Sequence, residues 1–296
     1  MSDGFHLRHD RVRRSFARAA ESYDAAAVLQ REVLNRLVER LDLVSLKPVV
    51  VLDAGTGTGL GAAALSDRFR RARVVALDIA EPMAARAQRR RRWLRKVDAV
   101  CADAERLPLG AATVDLVFSN LMLQWLDDPA PAFNEFRRVL KPGGLLLFTS
   151  FGPDTLKELR AAWRAVDENV HVNRFLDMHD VGDALVRSGF RDPVMDVERM
   201  TVTYEDTMAL MRDLQAIGAR NVNAGRPRGL TGPRRLRAMQ AEYEAFRRDG
   251  SLPASWEVVF GQAWAPPAGV AHRDPGQPGE ARIPIEAIAR RSRGDR

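Results

Sequence analysis

The stretch Val49–Gly59, VVVLDAGTGTG, indicates the fold class of this chain of 296 residues. Its four leading apolar residues, three of them β-branched, predict a short strand that is buried on both faces. Gly55, Gly57 and Gly59 follow at once, and they allow the backbone to turn sharply and a ligand to approach the main chain. The GxGxG spacing departs from the dinucleotide pattern GxGxxG, and the Gly-Lys-Ser/Thr ending of a P-loop is missing, so a phosphate is not the predicted target.

Short apolar runs alternate with helical patterns beyond this loop. The further predicted strands are Arg73–Asp78, Val97–Cys101, Val114–Ser119, Leu145–Ser150, Pro193–Tyr204 (as one strand or two) and Trp256–Trp264. Helical patterns at 60–70, 81–95 and 129–140 separate the first five strands, and the last of these helices ends at KPGG, residues 141–144. This alternation predicts an α/β fold with a mostly parallel sheet, helices on both faces and a ligand crevice at the carboxyl ends of the strands.

The segments on either side of this core have a different character. Residues 11–20 and 25–43 predict two helices that break near Ser22–Asp24, so we expect an N-terminal helical cap over residues 1–45. Residues 46–265 are expected to form the core with lid insertions. Residues 266–296 hold proline, glycine and arginine with little apolar content, which predicts a flexible tail.

Composition excludes several classes of protein. No apolar run approaches the length of about 20 residues that a membrane-spanning helix needs. The single cysteine, Cys101, cannot form an internal disulfide, and no Cys/His pairing at metal-ligand spacing accompanies it. The basic segment Met1–Arg14 lacks the apolar stretch of a secretory signal. We therefore expect a cytoplasmic protein with no metal and no membrane partner.

The net charge of +7 is concentrated in one segment, Arg86–Lys96, which holds six arginines and a lysine. Such a run is either a solvated helix face or a docking patch for an acidic partner, and the sequence leaves both interpretations open. Aromatic residues do not interleave with the arginines apart from Trp93, so nucleic acid is not an expected partner.

Two acidic residues lie at the carboxyl ends of the second and third predicted strands. Asp78 ends the second predicted strand, where a carboxylate can accept hydrogen bonds from both ribose hydroxyls of a nucleoside. Asp103 follows the third strand, in the sequence ADAERLPL, near the expected position of the base. The sequence therefore predicts a nucleoside site at this edge of the sheet.

Residues 49–150 resemble the class I S-adenosylmethionine-dependent methyltransferases. The motifs VLDAGTGTG, LDIAEPM, ADAERLPL, VDLVFSNLMLQWL and VLKPGGLLLFTSF stand in that superfamily's order. The resemblance implies a Rossmann-like seven-stranded sheet and S-adenosylmethionine as cofactor. The residues that it implies for the cofactor site are Gln30, Asp53, Gly55, Gly57, Gly59, Asp78, Met83, Asp103, Ala104 and Asn120.

The flanking segments are similar to one family within that superfamily, the malonyl-[acyl-carrier-protein] O-methyltransferases of biotin synthesis. The similar stretches begin SFARAAESYD at residue 15, FGPDTLKELR at residue 151, LMRDLQAIGA at residue 210 and LPASWEVVFG at residue 252. The resemblance covers residues 11–266. Thr56 and Thr58 stand where cysteine and proline are common in the family, which leaves the backbone role of the loop intact.

The resemblance implies methylation of the free carboxyl of a malonyl thioester, with malonyl-acyl carrier protein or malonyl-CoA as the partner. Tyr23 resembles the family's site tyrosine and is expected to orient the carboxylate. His171 and Arg174, in the sequence HVNRF, form a polar cluster that could hold it, although Arg174 could equally form a surface ion pair. The region that includes this insertion and the segment Arg212–Arg228 is expected to form a basic lid. The sequence does not decide which basic patch would dock an acidic carrier.

Two alternatives compete with this interpretation. Stretches like FGPDTLKELR and MRDLQAIG also occur in a cofactor-binding arginine hydroxylase that assembles respiratory complex I. The SFARAAESYD setting of Tyr23 and the HVNRF sequence favour the methyltransferase. A nucleic-acid methyltransferase would be expected to show Asn/Asp-Pro-Pro-aromatic after the fourth strand, where this chain has SNLM, residues 119–122.

Overall fold

The structure is a computed structural model that describes residues 7–90, 97–223 and 231–268. The strands are β1 (Val50–Ala54), β2 (Arg73–Asp78), β3 (Val97–Cys101), β4 (Val114–Ser119), β5 (Leu140–Phe151), β6 (Arg191–Tyr204) and β7 (Leu252–Trp264). The α-helices are α1 (His9–Ala19), α2 (Tyr23–Ala26), α3 (Val28–Glu39), α4 (Leu60–Arg68), α5 (Glu81–Arg89), α6 (Ala130–Val139), α7 (Lys157–Arg164), α8 (Met178–Arg187), α9 (Thr207–Ala216) and α10 (Pro233–Glu244).

The seven strands form one sheet in the order β3-β2-β1-β4-β5-β7-β6. The first five strands pair in parallel, whereas β7 is antiparallel to both β5 and β6. The strand order reverses between β1 and β4, and such a switch point opens a crevice at the carboxyl ends of the strands. The predicted fold class, a Rossmann-like α/β sheet that is mostly parallel, is confirmed.

Helices cover both faces of the sheet. Successive residues of a strand point to opposite faces, so each central strand contributes to two separate core clusters. Val51 belongs to a core cluster formed with helices α3, α4 and α7, whereas Leu52 belongs to a second cluster formed with α6 and α8. Phe133 and Phe136 of α6 are fully buried in that second cluster. This explains why the first five strands read as nearly continuous apolar runs in the sequence.

Several local predictions differ from the structure. KPGG, predicted as the loop after a helix, lies within β5, because Leu140 already pairs with Val114 and the register then shifts before Leu145 pairs with Leu116. Gly143 takes a φ of +73° in this bulge, which a glycine adopts without strain. The helix predicted at 25–43 is interrupted at Ala27, whose ψ of 48° is not helical.

Some predictions concern residues outside the described ranges. These are residues 91–96 of the basic segment, residues 224–228 of the predicted lid, and residues 269–296 of the predicted tail. The proposed division of the chain at residues 45 and 265 stays a prediction, and α3 of the predicted cap packs in the same core cluster as the sheet. None of the helices in the described residues is long and apolar enough to cross a membrane.

Candidate active site

The carboxyl ends of the central strands and helix α1 enclose a cavity beside the glycine loop. Its walls include His9, Val12 and Phe16 of α1, the loop residues Gly55 and Gly57, Leu77–Ile79 at the end of β2, Ala102–Ala104 after β3, and Asn120–Met122, Trp125 and Leu126 after β4. Tyr23 also lines it, at the start of α2. The short connection from α1 to α2 thus carries a tyrosine ring to the same cavity as the strand ends.

The predicted site residues fall into two groups around this cavity. Those that line it are Tyr23, Gly55, Gly57, Asp78, Asp103, Ala104 and Asn120. Those that do not line it are Gln30, Asp53, Gly59 and Met83. Met83 is fully buried in a small cluster with Ala20 and Ala80, against which Phe16 and Tyr23 pack, so it supports the cavity from behind.

Three left-handed glycines shape the loop. Gly55, Gly57 and Gly59 have φ values of +75°, +56° and +88°. The N–H groups of Gly55 and Thr56 both donate to the Leu77 carbonyl, at 2.8 and 2.9 Å, which ties the loop to the end of β2. A Cβ on Gly57 would meet no atom within 4 Å, so the main chain is open to a ligand at this position.

Asp78 links the loop to the start of α5. Its two carboxylate oxygens accept hydrogen bonds from the N–H groups of Ala80, at 2.8 Å, and Gly57, at 2.9 Å. Burial raises the pKa of Asp78 to about 6, although both hydrogen bonds favour the ionised form. Each oxygen keeps acceptor capacity for a ligand hydroxyl, and the side chain is ionised for the most part at pH 7.

Cofactor binding is expected to follow the ionisation of Asp78. With a pKa of about 6, the ionised fraction falls about tenfold between pH 7 and pH 5, and S-adenosylmethionine affinity should fall with it. Asp78→Asn should weaken binding at pH 7 by roughly 10- to 100-fold, since a hydrogen bond to a charged group contributes about 1.5–3 kcal/mol. The variant should also lose this pH dependence. Calorimetric titrations of the wild type and the variant with S-adenosylmethionine at several pH values test this. An affinity that depends equally on pH in both proteins would contradict the assignment.

Asp53 is buried beside the glycine loop and stabilises its conformation. It is 1% exposed and accepts a hydrogen bond from the Thr56 hydroxyl at 2.5 Å. Burial raises its pKa to about 7, and the nearby charge of Asp78 acts in the same direction. A Cβ on Gly61 would lie 2.9 Å from a carboxylate oxygen of Asp53, so the start of α4 packs directly on this side chain. Its contacts are those of a loop-positioning residue.

Asn120 is held at the end of β4 by neighbours on both sides. Its amide oxygen accepts from the Thr149 hydroxyl at 2.8 Å, and its amide nitrogen donates to the backbone carbonyl of Gln30 at 3.2 Å. Leu121, the next residue, has a φ of +52°, a conformation that a branched side chain adopts with strain. The Asn120 side chain at the end of β4 is therefore held by contacts with two other elements, α3 and β5.

The Tyr23 hydroxyl forms no hydrogen bond with any residue in the described ranges, although the side chain is half-buried in the cavity wall. Burial raises the pKa of Tyr23 well above its usual value, and the charges of Asp78 and Asp24 raise it further. The hydroxyl thus stays protonated at neutral pH and can act as a hydrogen-bond donor, but not as a base.

Asp24, next in the chain, fastens α2 to the glycine loop. Its carboxylate accepts a hydrogen bond from the Thr58 hydroxyl at 2.5 Å and forms an ion pair with Arg90. Arg90 in turn donates to the Thr58 carbonyl at 3.0 Å. Sequence reasoning did not predict the contact among these three residues, because it depends on packing between segments that lie far apart in the chain.

A second, larger cavity adjoins the first, and Trp125 lines both. Its walls are mainly aromatic and apolar, with Phe151, Leu159, Trp163, Phe175, Leu214 and Trp256 among them. Two buried polar atoms in its walls, Trp256 Nε1 and Gln124 Oε1, have no hydrogen-bond partner among the described residues. Buried groups of this kind normally have a partner, so they are candidate contacts for a substrate.

His171 and Arg174, predicted as a pair, both line an outer groove, but only His171 also lines the larger cavity. His171 lines the larger cavity, stacks on Trp163 at 3.7 Å between ring centroids, and bonds Asp167 through Nε2 at 2.8 Å. Arg174 is exposed and lines an outer groove with Arg160, Arg164 and Asp177. Neither cavity includes Arg174, so the structure does not bring it together with Tyr23.

The residues around the smaller cavity suit a nucleoside with a cationic amino-acid chain. The Asp78 carboxylate, the apolar side chains of Ala102 and Leu126, and Asp103 all line it, and these are the kinds of group that a ribose diol and a flat base require. The open main chain at Gly57 leaves room for the amino-acid part of the ligand. S-adenosylmethionine fits this set of acceptors and apolar surfaces.

Comparison with known proteins agrees with this geometry. A family model described as "Methyltransferase domain" matches residues 52–148. The chain is 56% identical to the malonyl-[acyl-carrier protein] O-methyltransferase of Methylovorus sp., with 92% of this chain and 94% of the relative covered. It is 48% identical to the protein of the same name from Halorhodospira halophila, with 95% and 96% covered.

Solved structures show the fold alone. YcgJ of Bacillus subtilis superposes with a TM-score of 0.57 at 16% identity, covering 80% of this chain and 99% of the other. The [4+2]-cyclase SpnF gives a TM-score of 0.50 at 22% identity, covering 80% and 82%. The fold by itself therefore does not specify the reaction, and the relatives and the cavities have to identify it.

Proposed function

The chain belongs to the family of malonyl-[acyl-carrier protein] O-methyltransferases, and on this basis we propose that it methylates the free carboxyl of a malonyl thioester carried by an acyl carrier protein. The product, a malonyl methyl ester, would serve as the primer of pimeloyl synthesis for biotin. One observation carries the proposal beyond the family: the Tyr23 hydroxyl, which has no hydrogen-bond partner among the described residues, lies in the wall of the smaller cavity, next to the larger cavity.

The reaction needs positioning more than acid–base chemistry. When bound, S-adenosylmethionine supplies a methyl group on a positively charged sulfur. A carboxylic acid with a pKa of about 4 is already ionised at pH 7, so the substrate oxygen needs no general base. A new C–O bond forms as the C–S bond breaks, and the electron pair of that bond leaves with sulfur. No proton is transferred, which agrees with a site that holds a protonated tyrosine rather than a base.

Tyr23 is proposed to donate its hydroxyl hydrogen to one oxygen of the malonyl carboxylate and so to direct the other oxygen at the methyl group. In-line placement of reacting atoms about 3–3.5 Å apart contributes several kcal/mol to such a reaction. The contacts of Asp24 with Thr58 and Arg90 support this role, since they fix the backbone next to Tyr23 against the cofactor loop. Helix α1, through Val12 and Phe16, would keep water out of the cavity.

We propose that the Trp256 ring, which lines the larger cavity, turns when substrate binds and donates its otherwise buried indole N–H to an oxygen of the malonyl thioester. Trp256→Phe keeps an aromatic ring near Phe151, 5.0 Å away between centroids, but removes the donor. We expect KM for the malonyl substrate to rise roughly tenfold, as for the loss of one hydrogen bond of about 1.5 kcal/mol. The melting temperature should not fall, because the donor has no partner within the described residues. A lower melting temperature with unchanged KM would assign Trp256 a purely structural role.

His171 and Arg174 have different roles in this proposal. His171 is suited to close one wall of the larger cavity, since its ring is stacked and its Nε2 is already bonded. The exposure of Arg174 favours the surface interpretation over a grip on the malonyl carboxylate. The use of malonyl-CoA as an alternative substrate stays a prediction. The cytoplasmic location also stays a prediction from the sequence.

A genetic experiment tests the function. The chain should restore growth without biotin to a bacterium that lacks its own malonyl methyltransferase, whereas the Tyr23→Phe variant should not restore it at equal expression. Absence of growth despite well-folded, abundant protein would contradict the proposal. It would favour the alternative, an arginine hydroxylase that assembles complex I, which the names of the relatives do not favour.

A further inference from the structure

Six arginines from two distant segments of the chain form a continuous basic surface beside the larger cavity. We call it the arginine surface: it consists of Arg8, Arg11, Arg14 and Arg18 at the N-terminal end, Arg212 of α9 and Arg220 after α9. Arg11, Arg14 and Arg18 are spaced by three and four residues, which places them along one face of α1. Arg18 and Arg220 line both of the shallow grooves that the surface contains.

Tight contacts hold the two segments together. The Ser15 hydroxyl of α1 donates to the Gly218 carbonyl at 2.9 Å, and the Ser22 hydroxyl donates to the Ala216 carbonyl at 2.8 Å. A Cβ on Gly218 would lie only 3.2 Å from the Ala19 side chain, so the loop after α9 packs closely against α1. The arginine surface is therefore a feature of the fold and not a chance approach of flexible side chains.

Three of the six arginines have no carboxylate partner among the described residues. Asp10 bonds Arg8 and Arg14, and the Arg11 side chain donates to the Asn223 carbonyl at 3.2 Å. Arg18, Arg212 and Arg220 are exposed and form no ion pair with any carboxylate in the part of the chain that the structure describes. Such a cluster raises the local concentration of an acidic partner and orients its approach.

The arginine surface borders the larger cavity at one edge, which includes Arg220. Arg220, Asn221 and Gln215 line that cavity as well as the grooves of the arginine surface. A partner bound here would stand directly over an opening whose inner walls are aromatic and apolar. The other basic candidate, Arg86 and Arg89 of α5, lines neither cavity.

We propose that the arginine surface is the docking site for the acidic face of the acyl carrier protein, which delivers its malonyl arm through the mouth at Arg220. The inference rests on the proposed function and identifies the partner surface for it. It also distinguishes between the two basic patches that the sequence offered. The contribution is to encounter and binding of the carrier, not to the chemical step.

The test compares two thioesters that share the malonyl end. The double variant Arg18→Glu/Arg212→Glu should lower kcat/KM for malonyl-acyl carrier protein at least tenfold, mainly through KM. With malonyl-pantetheine, which lacks both the carrier and the phosphate, kcat/KM should be unchanged, because neither residue lines a cavity that holds substrate or cofactor. Raising the ionic strength should reduce the wild-type rate with the carrier but not with malonyl-pantetheine.

Matched variants and a binding measurement complete the test. Arg86→Glu/Arg89→Glu makes the same charge change on α5 and should leave kcat/KM for malonyl-acyl carrier protein unchanged. The neutral double variant Arg18→Gln/Arg212→Gln should lose less kcat/KM than the Arg18→Glu/Arg212→Glu variant. Unchanged carrier kinetics in the Arg18/Arg212 variants, equal losses with both thioesters, or a loss confined to the α5 variant would overturn the inference. If wild-type protein methylates neither thioester, the proposed function fails, and direct titration of the same variants with malonyl-acyl carrier protein still decides the docking site.

Discussion

Tyr23→Phe is expected to lower kcat on malonyl-acyl carrier protein on the order of 100-fold, the effect of removing one donor that stabilises charge in a reaction centre. The hydroxyl faces the cavity, stays protonated because burial raises its pKa, and has no other hydrogen-bond partner among the described residues. Phenylalanine keeps the ring that packs against Met83 and Ala80. The affinity for S-adenosylmethionine should therefore change by less than about twofold.

The chain offers matched controls for this experiment, since its other two tyrosines lie in neither cavity. The Tyr204 hydroxyl donates to Asp213 at 2.9 Å, and the Tyr243 hydroxyl donates to the Pro253 carbonyl at 2.9 Å. Tyr204→Phe and Tyr243→Phe should lower the melting temperature slightly and leave kcat within about twofold. Full turnover in Tyr23→Phe, or an equal loss in all three variants, would remove the proposed role of Tyr23.

Gly59→Ala is expected mainly to destabilise the fold, whereas Gly57→Ala is expected mainly to weaken cofactor binding. A Cβ on Gly59 would lie 2.6 Å from the Ala87 Cα of α5, and helix backbone cannot yield as a side chain can. Overpacking costs about 1–3 kcal/mol and the left-handed backbone about 1–2 kcal/mol more. Gly59→Ala should thus lower the melting temperature by roughly 4–20 °C, at about 2–4 °C for each kcal/mol.

Gly57→Ala has the same kind of backbone conformation but no steric conflict, since no atom lies within 4 Å of its Cβ position. It should lower the melting temperature by only about 2–8 °C, from the strain of the left-handed backbone alone. Its new methyl group would occupy space beside the cofactor, so affinity for S-adenosylmethionine should fall at least tenfold. Thermal melts and calorimetry of the two variants separate the roles. Equal stability losses with unchanged affinity at Gly57 would contradict a cofactor contact at that residue.

The fold could be predicted because its signals are local. A buried parallel strand needs a continuous apolar run such as VVVLD, and a tight turn with open backbone needs glycine, so residues 49–59 carry both features in their own sequence. Asp78 and Asp103 could be predicted as neighbours, since parallel strands end at the same edge of a sheet. The KPGG prediction was wrong because pairing with β4 overrides the turn preference of Pro-Gly-Gly.

Side-chain direction in the lid could not be predicted in the same way. His171 and Arg174 are three positions apart in a segment without regular structure, and no periodicity tells which of them faces inward. Asp24 meets Thr58 and Arg90 across 34 and 66 residues of sequence, so only the packed structure reveals the contact. The arginine surface could not be predicted for the same reason. The arginines of α1 and those near α9 each have the pattern of an ordinary solvated helix, and only the packed structure places them side by side.

The central claim is transfer of a methyl group from S-adenosylmethionine to a malonyl carboxylate at the ends of the central strands. The most direct measurement uses S-adenosylmethionine with an isotope-labelled methyl group, purified protein and malonyl-acyl carrier protein, followed by mass spectrometry of the carrier arm. We predict one labelled methyl ester on the distal carboxyl of the malonyl group. An unlabelled arm in the presence of folded, cofactor-binding protein, or label on any other group, would contradict the account.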